Sequence, residues 1–123
     1  EDDIERTLDD YAAAAARAEG AGYDGVEIMG SEGYLIHQFL SERANARSDG
    51  WGGPLENRMR FAVEAVRRTR RRVADRFLVV YRLSMLDLVE GGSAWKEIVA
   101  LARAIEAAGA NVLNAGIGWH EAR

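Results

Sequence analysis

Tyr34, Arg82 and His120 have side chains suited to chemistry on a carbonyl compound, and each lies beyond a short apolar run. Phenols ionise near pH 10, so a tyrosine is a proton donor at neutral pH. A guanidinium stabilises an anion, and an imidazole orients or polarises a carbonyl. Glu32 stands two residues before Tyr34, while Ser84 and Asn114 follow the second and third runs. Other readings stay open. Tyr34 is equally suited to anchoring its loop as a half-buried aromatic, Arg82 to pairing with Glu27 or Glu32, and His120 to simple exposure. His37 reads as a local packing or capping group, because no second histidine lies at ligand spacing for a metal. Asp87 and Glu90 read as solvated loop carboxylates. Gly116-Ile117-Gly118 opens no evident helix and so is not a dinucleotide loop.

The elements that would position these groups alternate between helix and strand. Ile4, Leu8, Tyr11, Ala12, Ala15 and Ala18 form one helical stripe, and Gly20 and Gly22 supply stop signals. A strand follows at 25–29. The loop after it runs to Gly53, long enough to suggest function, with a helical turn or two over 34–40. Pro54 suits the first turn of a second long helix, whose buried stripe is Met59, Ala62, Val63, Val66, Thr69 and Val73. Residues 77–81 form a continuous apolar strand, as a parallel sheet covered on both faces requires, ending at 82–84. Ser93 is positioned to cap a third helix with Ile98, Leu101, Ala102 and Ile105 inward, and Gly109 closes it. Residues 111–114 make the third strand. A weak repeat at an offset of 87 residues matches 19–24 to 106–111, so the repeating unit is helix plus strand. Such alternation specifies parallel α/β architecture, barrel or open sheet, with functional groups at the C-terminal ends of the strands.

Composition narrows the classes. The 123 residues are 48% hydrophobic and 29% charged, as in a globular domain. The net charge of −4 gives no support to nucleic-acid binding, and the basic run 67–72 reads as a solvated helix face. Lys96 is the one lysine and falls on an outer helix face, which argues against Schiff-base chemistry. The absence of cysteine removes disulfides, thiolate zinc sites and iron–sulfur ligation from this chain. No apolar run approaches the roughly 18 residues of a membrane span, and no signal-peptide pattern opens the chain. The expectation is a cytoplasmic protein, of which this is one piece. Three strands fall short of a (β/α)8 barrel, which needs about 250 residues.

The combined motifs resemble the flavin-dependent old yellow enzyme family. They are Gly22-Tyr23-Asp24-Gly25-Val26-Glu27-Ile28, Gly33-Tyr34-Leu35-Ile36, Gln38-Phe39-Leu40, the loop Arg47 to Gly53, and Glu56-Asn57-Arg58. Within that family, Met29-Gly30-Ser31-Glu32-Gly33-Tyr34, Tyr81-Arg82-Leu83-Ser84 and Gly116 to Arg123 look most like bacterial 2,4-dienoyl-CoA reductases. Many family members carry a His, or a His/Asn pair, where this chain has Met29 and Glu32. His37 departs from the usual asparagine, and Ser41-Glu42 from the usual small residue and proline.

The resemblance implies that residues 1–123 are the central, incomplete portion of an FMN-binding TIM barrel, with about three strands and three helices. It implies hydride transfer from reduced FMN to the conjugated C=C bond of an acyl-CoA or enone, with Tyr34 protonating the neighbouring carbon. His120 would orient or polarise the thioester carbonyl, and Glu32 would position substrate or tune Tyr34. Arg82 would lie by the flavin pyrimidine edge, and Glu121, Ala122 and Arg123 would contact substrate. Relatives in this branch also carry an iron–sulfur cluster, FAD and NADPH, whose sites would lie outside this chain. Missing barrel segments, or a second copy, would be needed to close the sheet. A simple ene-reductase, an amine dehydrogenase and a non-catalytic half-barrel are the competing readings.

Overall fold

A computed structural model of the chain describes residues 2–120. Its elements are α1 (Asp2–Gly20), β1 (Gly25–Gly30), α2 (Leu35–Leu40), α3 (Leu55–Arg72), β2 (Leu78–Leu86), α4 (Trp95–Ala108) and β3 (Val112–Ile117). The helical turns expected over 34–40 are a helix in their own right, so the described residues form four helices. The strands form one parallel sheet in the order β1-β2-β3. Long helices join successive strands, the connection that parallel pairing requires.

Each helix forms where the sequence favours it. α1 combines an alanine-rich body with Asp2, Asp3 and Glu5 in its first turn, where negative charge meets the positive end of the helix dipole. It buries Ile4, Leu8, Ala12 and Ala15. α3 buries Phe61, Ala62, Ala65, Val66 and Thr69, with Arg58 among them, while Met59 and Val63 are only partly buried. The buried stripe is therefore rotated from the expected one, because Phe61 stacks on Phe39 at 4.4 Å and turns that face inward. α4 buries Ile98, Leu101, Ile105 and Ala108. Its N-cap is Ala94 rather than Ser93. Glu97 accepts the Ala94 N–H at 3.1 Å, and the Ser93 N–H is taken instead by Asp87.

The basic run is largely occupied. Arg68 bonds Glu5 and Asp9 of α1, Arg67 pairs with Glu64, and Arg70 donates to Phe77 O at 2.7 Å; Arg71 and Arg72 are exposed.

The repeat maps onto equivalent junctions. Gly22 and Gly109, 87 residues apart, both take left-handed backbone (φ +89° and +109°) where a helix gives way to a strand. Just beyond them, Asp24 O accepts the Leu78 N–H and Asn111 Oδ1 accepts the Val79 N–H, each at 2.9 Å.

Among the described residues, helices cover one face of the sheet and leave the other open. Ile28, Val79, Tyr81 and Leu83 face the helices and are buried. The opposite face carries Glu27 and Met29 from β1, Val80 and Arg82 from β2, and Val112 and Asn114 from β3. Pairing aligns Met29, Arg82 and Asn114 in one row across the three strands. Both later strands outrun their expected ends. β2 continues to Leu86 through an irregularity at 84–86, and β3 continues to Ile117. Pairing between them sustains both, a long-range effect that local residue preference does not report. Arg82 and Asn114 consequently lie within strands, below the rim.

Among the described residues no helix is long and apolar enough to cross a membrane.

Candidate active site

The rim is built on a left-handed turn. Immediately beyond β1, Glu32 has φ +62° and Gly33 φ +81°. Glycine takes such values freely, whereas a glutamate there costs roughly 1–3 kcal/mol. Several bonds over-determine the turn. Glu32 O accepts the His120 N–H at 2.9 Å, and Glu32 forms a parallel bridge with Trp119. Gly33 donates its N–H to His37 Nδ1 at 2.9 Å and accepts from Gln38 Nε2 at 2.7 Å. A Cβ on Gly33 would sit 2.5 Å from the Trp119 ring, so this position also admits no side chain. The turn thus joins the ends of β1 and β3, across the end of β2.

Tyr34 emerges from this turn as the N-cap of α2. It is 46% exposed, and its ring stacks on that of His120 at 4.6 Å with an interplanar angle of 6°. His120 Nδ1 lies 2.7 Å from Glu32 O. A carbonyl oxygen only accepts, so Nδ1 carries the proton. Donation from Nε2 toward a substrate carbonyl then requires the imidazolium form. Tyr34 and His120 are therefore brought together at the rim by their ring stack, with His120 held on the Glu32 carbonyl.

Arg82 meets Glu32 one level lower. Its Nε and Nη2 converge on Glu32 Oε1 at 2.9 and 2.6 Å, while Nη1 lies 3.8 Å from Glu27 Oε1. Both pairings left open by the sequence are thus present. Asn114 Nδ2 donates to Glu27 Oε2 at 2.8 Å, so Glu27, Glu32, Arg82 and Asn114 form one polar network on the open face. Gly116 makes room for it. A Cβ there would lie 3.1 Å from Glu32 Oε1 and 3.2 Å from Arg82 Nε. Two carboxylates against one guanidinium leave this patch net negative. The Nη1 donors of Arg82 and the amide of Asn114 suit the alternating acceptor and donor edge of a flavin pyrimidine ring. These residues fit FMN as hydrogen-bonding partners more than as a source of positive charge.

Ser84 and Asp87 depart from their expected places. Ser84 Oγ turns to Asp87 Oδ1 at 2.5 Å and is buried. Asp87, expected in solvent, is only 4% exposed. It lies 3.1 Å from His37 Nε2 and accepts the Ser93 N–H at 2.7 Å. Burial alone would raise its pKa, but the bonds from His37, Ser84 and the Ser93 N–H outweigh burial and hold the carboxyl well below the usual range. His37, 1% exposed, packs and caps locally as expected. Glu90 is exposed. The Asp87 contact escaped the sequence reading because a carboxylate after a strand looks the same whether or not a histidine 50 residues earlier folds back to it. Glu121, Ala122 and Arg123 lie outside the described residues. Among the described residues no three His, Asp or Glu converge as a metal site.

The chain is similar to known proteins over most of its length. The family described as NADH:flavin oxidoreductase / NADH oxidase matches residues 1–123. An NADH oxidase of Thermoanaerobacter brockii is 41% identical over 119 residues, which are 97% of this chain and 18% of that protein. A 2-naphthoyl-CoA reductase solved with 2-naphthoyl-CoA superposes with a TM-score of 0.91 at 40% identity, over 97% of this chain and 18% of that one. An old yellow enzyme homologue of Zymomonas mobilis superposes at 0.85 with 32% identity, over 95% of this chain and 34% of that one. The fold is α/β, a three-stranded portion of a (β/α)8 TIM barrel. The chain spans under a fifth of the NADH oxidase's length.

Proposed function

From the premise that this chain belongs to the NADH:flavin oxidoreductase / NADH oxidase family, we propose that residues 1–123 are the central part of an FMN-binding barrel in a longer oxidoreductase. The longer protein reduces the conjugated C=C bond of an enoyl- or dienoyl-CoA thioester. The observation that carries this reading is the Tyr34–His120 stack on the Glu32 turn. It sets a proton donor beside a group able to hold a carbonyl, at the strand ends where barrels do chemistry. Met29 and Glu32 occupy the positions at which many relatives bind the oxygen of simple enones, which favours a thioester over a small ketone. The likeness to a CoA-thioester reductase supports the same choice.

FMN, when bound and reduced, would supply the hydride to the alkene. Tyr34 gives its phenolic proton to the adjacent carbon and recovers one from solvent, to which it is open. His120, held by Glu32 O at Nδ1, orients the thioester and in its imidazolium form donates from Nε2 to the carbonyl oxygen. Glu32 contributes its backbone to His120 and its carboxylate to Arg82, whose Nη1 would donate to the flavin edge. The family resemblance assigns substrate contact to Glu121, Ala122 and Arg123. In the dienoyl-CoA reading the longer protein would also hold an iron–sulfur cluster, FAD and NADPH, at residues outside this chain.

The test is single-turnover kinetics of the full-length protein. Its flavin is reduced beforehand, mixed with hexa-2,4-dienoyl-CoA or with cyclohexenone, and followed as it reoxidises. Tyr34→Phe is expected to slow reoxidation by the thioester roughly 100-fold with FMN content unchanged. An unaltered rate would remove Tyr34 from the donor role. Faster turnover of cyclohexenone than of the thioester would move the assignment to a simple ene-reductase.

A further inference from the structure

Behind the Tyr34 turn lies a buried ionisable pair that the chemistry above does not use. His37, in the first turns of α2, and Asp87, in the loop after β2, meet at 3.1 Å with about 2% of either side chain exposed. The pair has a defined polarity. The Gly33 N–H can only donate, so His37 Nδ1 is the acceptor and Nε2 carries the proton toward Asp87. Asp87 is in turn fixed by Ser84 Oγ on one oxygen and the Ser93 N–H on the other. A continuous chain of bonds therefore runs from the N-terminal side of α4, through Asp87 and His37, to the amide between Glu32 and Tyr34.

What this chain grips is the strained part of the site. Glu32 and Gly33 are successive left-handed residues, and their conformation decides where Tyr34 and the Glu32 carbonyl point. Trp119, the neighbour of His120, packs its ring 4.7 Å from that of His37, so both halves of the Tyr34–His120 stack are referenced to one imidazole. Replacing a buried pair of this kind by apolar residues of similar shape is often harmless to stability, so its stabilising value alone does not account for it. A hydrogen-bond acceptor for the Gly33 amide does.

We propose that His37 and Asp87 are positioning residues that act through the Gly33 amide to hold Tyr34 in register with His120. The inference rests on the assignment of Tyr34 as proton donor.

The test uses the full-length enzyme with FMN bound and the same single-turnover reoxidation by hexa-2,4-dienoyl-CoA. Asp87→Asn leaves no satisfactory arrangement, since both carboxylate oxygens accept and an amide must point N–H groups at one of those donors. His37→Phe keeps an aromatic ring and removes both bonds, whereas His37→Asn retains an acceptor and a donor on a shorter side chain. At saturating thioester, Asp87→Asn and His37→Phe are expected to slow reoxidation at least about tenfold, with flavin content unchanged and His37→Asn closer to wild type. In a Tyr34→Phe background the same changes are expected to add less than about twofold, because their effect passes through the lost hydroxyl.

Equal losses in both backgrounds, or no loss in Asp87→Asn, would overturn the proposal. If His37→Phe fails to fold, Asp87→Asn and His37→Asn still decide it. A Tyr34→Phe enzyme of normal rate in which Asp87→Asn remains slow would sink the donor assignment and, with it, the route of action proposed for the pair. A normal rate in Asp87→Asn with a slow Tyr34→Phe would sink the positioning role alone.

Discussion

Arg82 and Glu32 illustrate how much of this site depends on single atoms. Two guanidinium nitrogens share one carboxylate oxygen, and both side chains are about a quarter to a third exposed. Such a pair sits between the exposed and fully buried cases, and breaking it should cost roughly 1–2 kcal/mol. Arg82→Met would leave Glu27 and Glu32 facing each other with no cation between them, and would remove the Nη1 donors offered to the flavin. The full-length variant is expected to lose FMN on gel filtration and to shift the potential of what remains, both read from its visible spectrum during reductive titration. Arg82→Lys restores charge but cannot direct two donors to Glu32 and a third to the open face, so it should recover stability better than flavin affinity. Unchanged flavin affinity and potential in both variants would count against the assignment.

At the scale of elements, the strands hold their register through contacts that leave no room for a side chain. A Cβ on Gly30 would lie 2.1 Å from Tyr81 Cζ, inside a ring that is itself fully buried. Gly30→Ala should therefore destabilise by about 1–3 kcal/mol or more, as over-packing does, read as a lower urea midpoint. The Asp87 crosslink between α2 and the β2–α4 loop should show itself in acid. Its folded pKa lies below the ordinary aspartate value of about 3.9. Its stabilisation is therefore present above about pH 4 and is lost as pH falls toward the lower folded value. Asp87→Asn should flatten the acid limb of a stability-versus-pH curve and lie below wild type at neutral pH; parallel curves would mean that the carboxylate is not the group responsible. These elements also mark what the sequence made legible. The stripes of α1 and α4 and the strand at 25–29 stand out because a single local period determines them. The continuation of β2 to Leu86 and of β3 to Ile117 does not, because pairing between residues 31 or 32 apart in the chain sustains it. The placement of Tyr34 and His120 beyond strand ends was legible from the apolar runs that precede them. The His37–Asp87 contact was not, because nothing local distinguishes a solvated aspartate from one met by a distant imidazole.

For the whole molecule, the decisive feature is a sheet that, among the described residues, has one unpartnered face and two open edges. Met29, Leu78 and Val112 are 37–46% exposed on that face, around the polar network that ends in Arg82. In a closed barrel this surface turns inward, and inward-facing side chains from the other strands fill the space in front of it. Strand edges left unpaired are templates for association. The polypeptide of residues 1–123 taken alone is therefore expected to self-associate as concentration rises and, as a monomer, to emerge colourless after incubation with FMN and desalting. Sedimentation velocity with absorbance at the flavin band measures both at once. Flavin travelling with a dimer would mean that a second copy supplies the missing wall and that the open face is competent once covered. Flavin travelling with a monomer would overturn the argument from sheet closure. It would require Arg82, Asn114 and the Glu32 turn to hold the ring from one side, without the opposing strands.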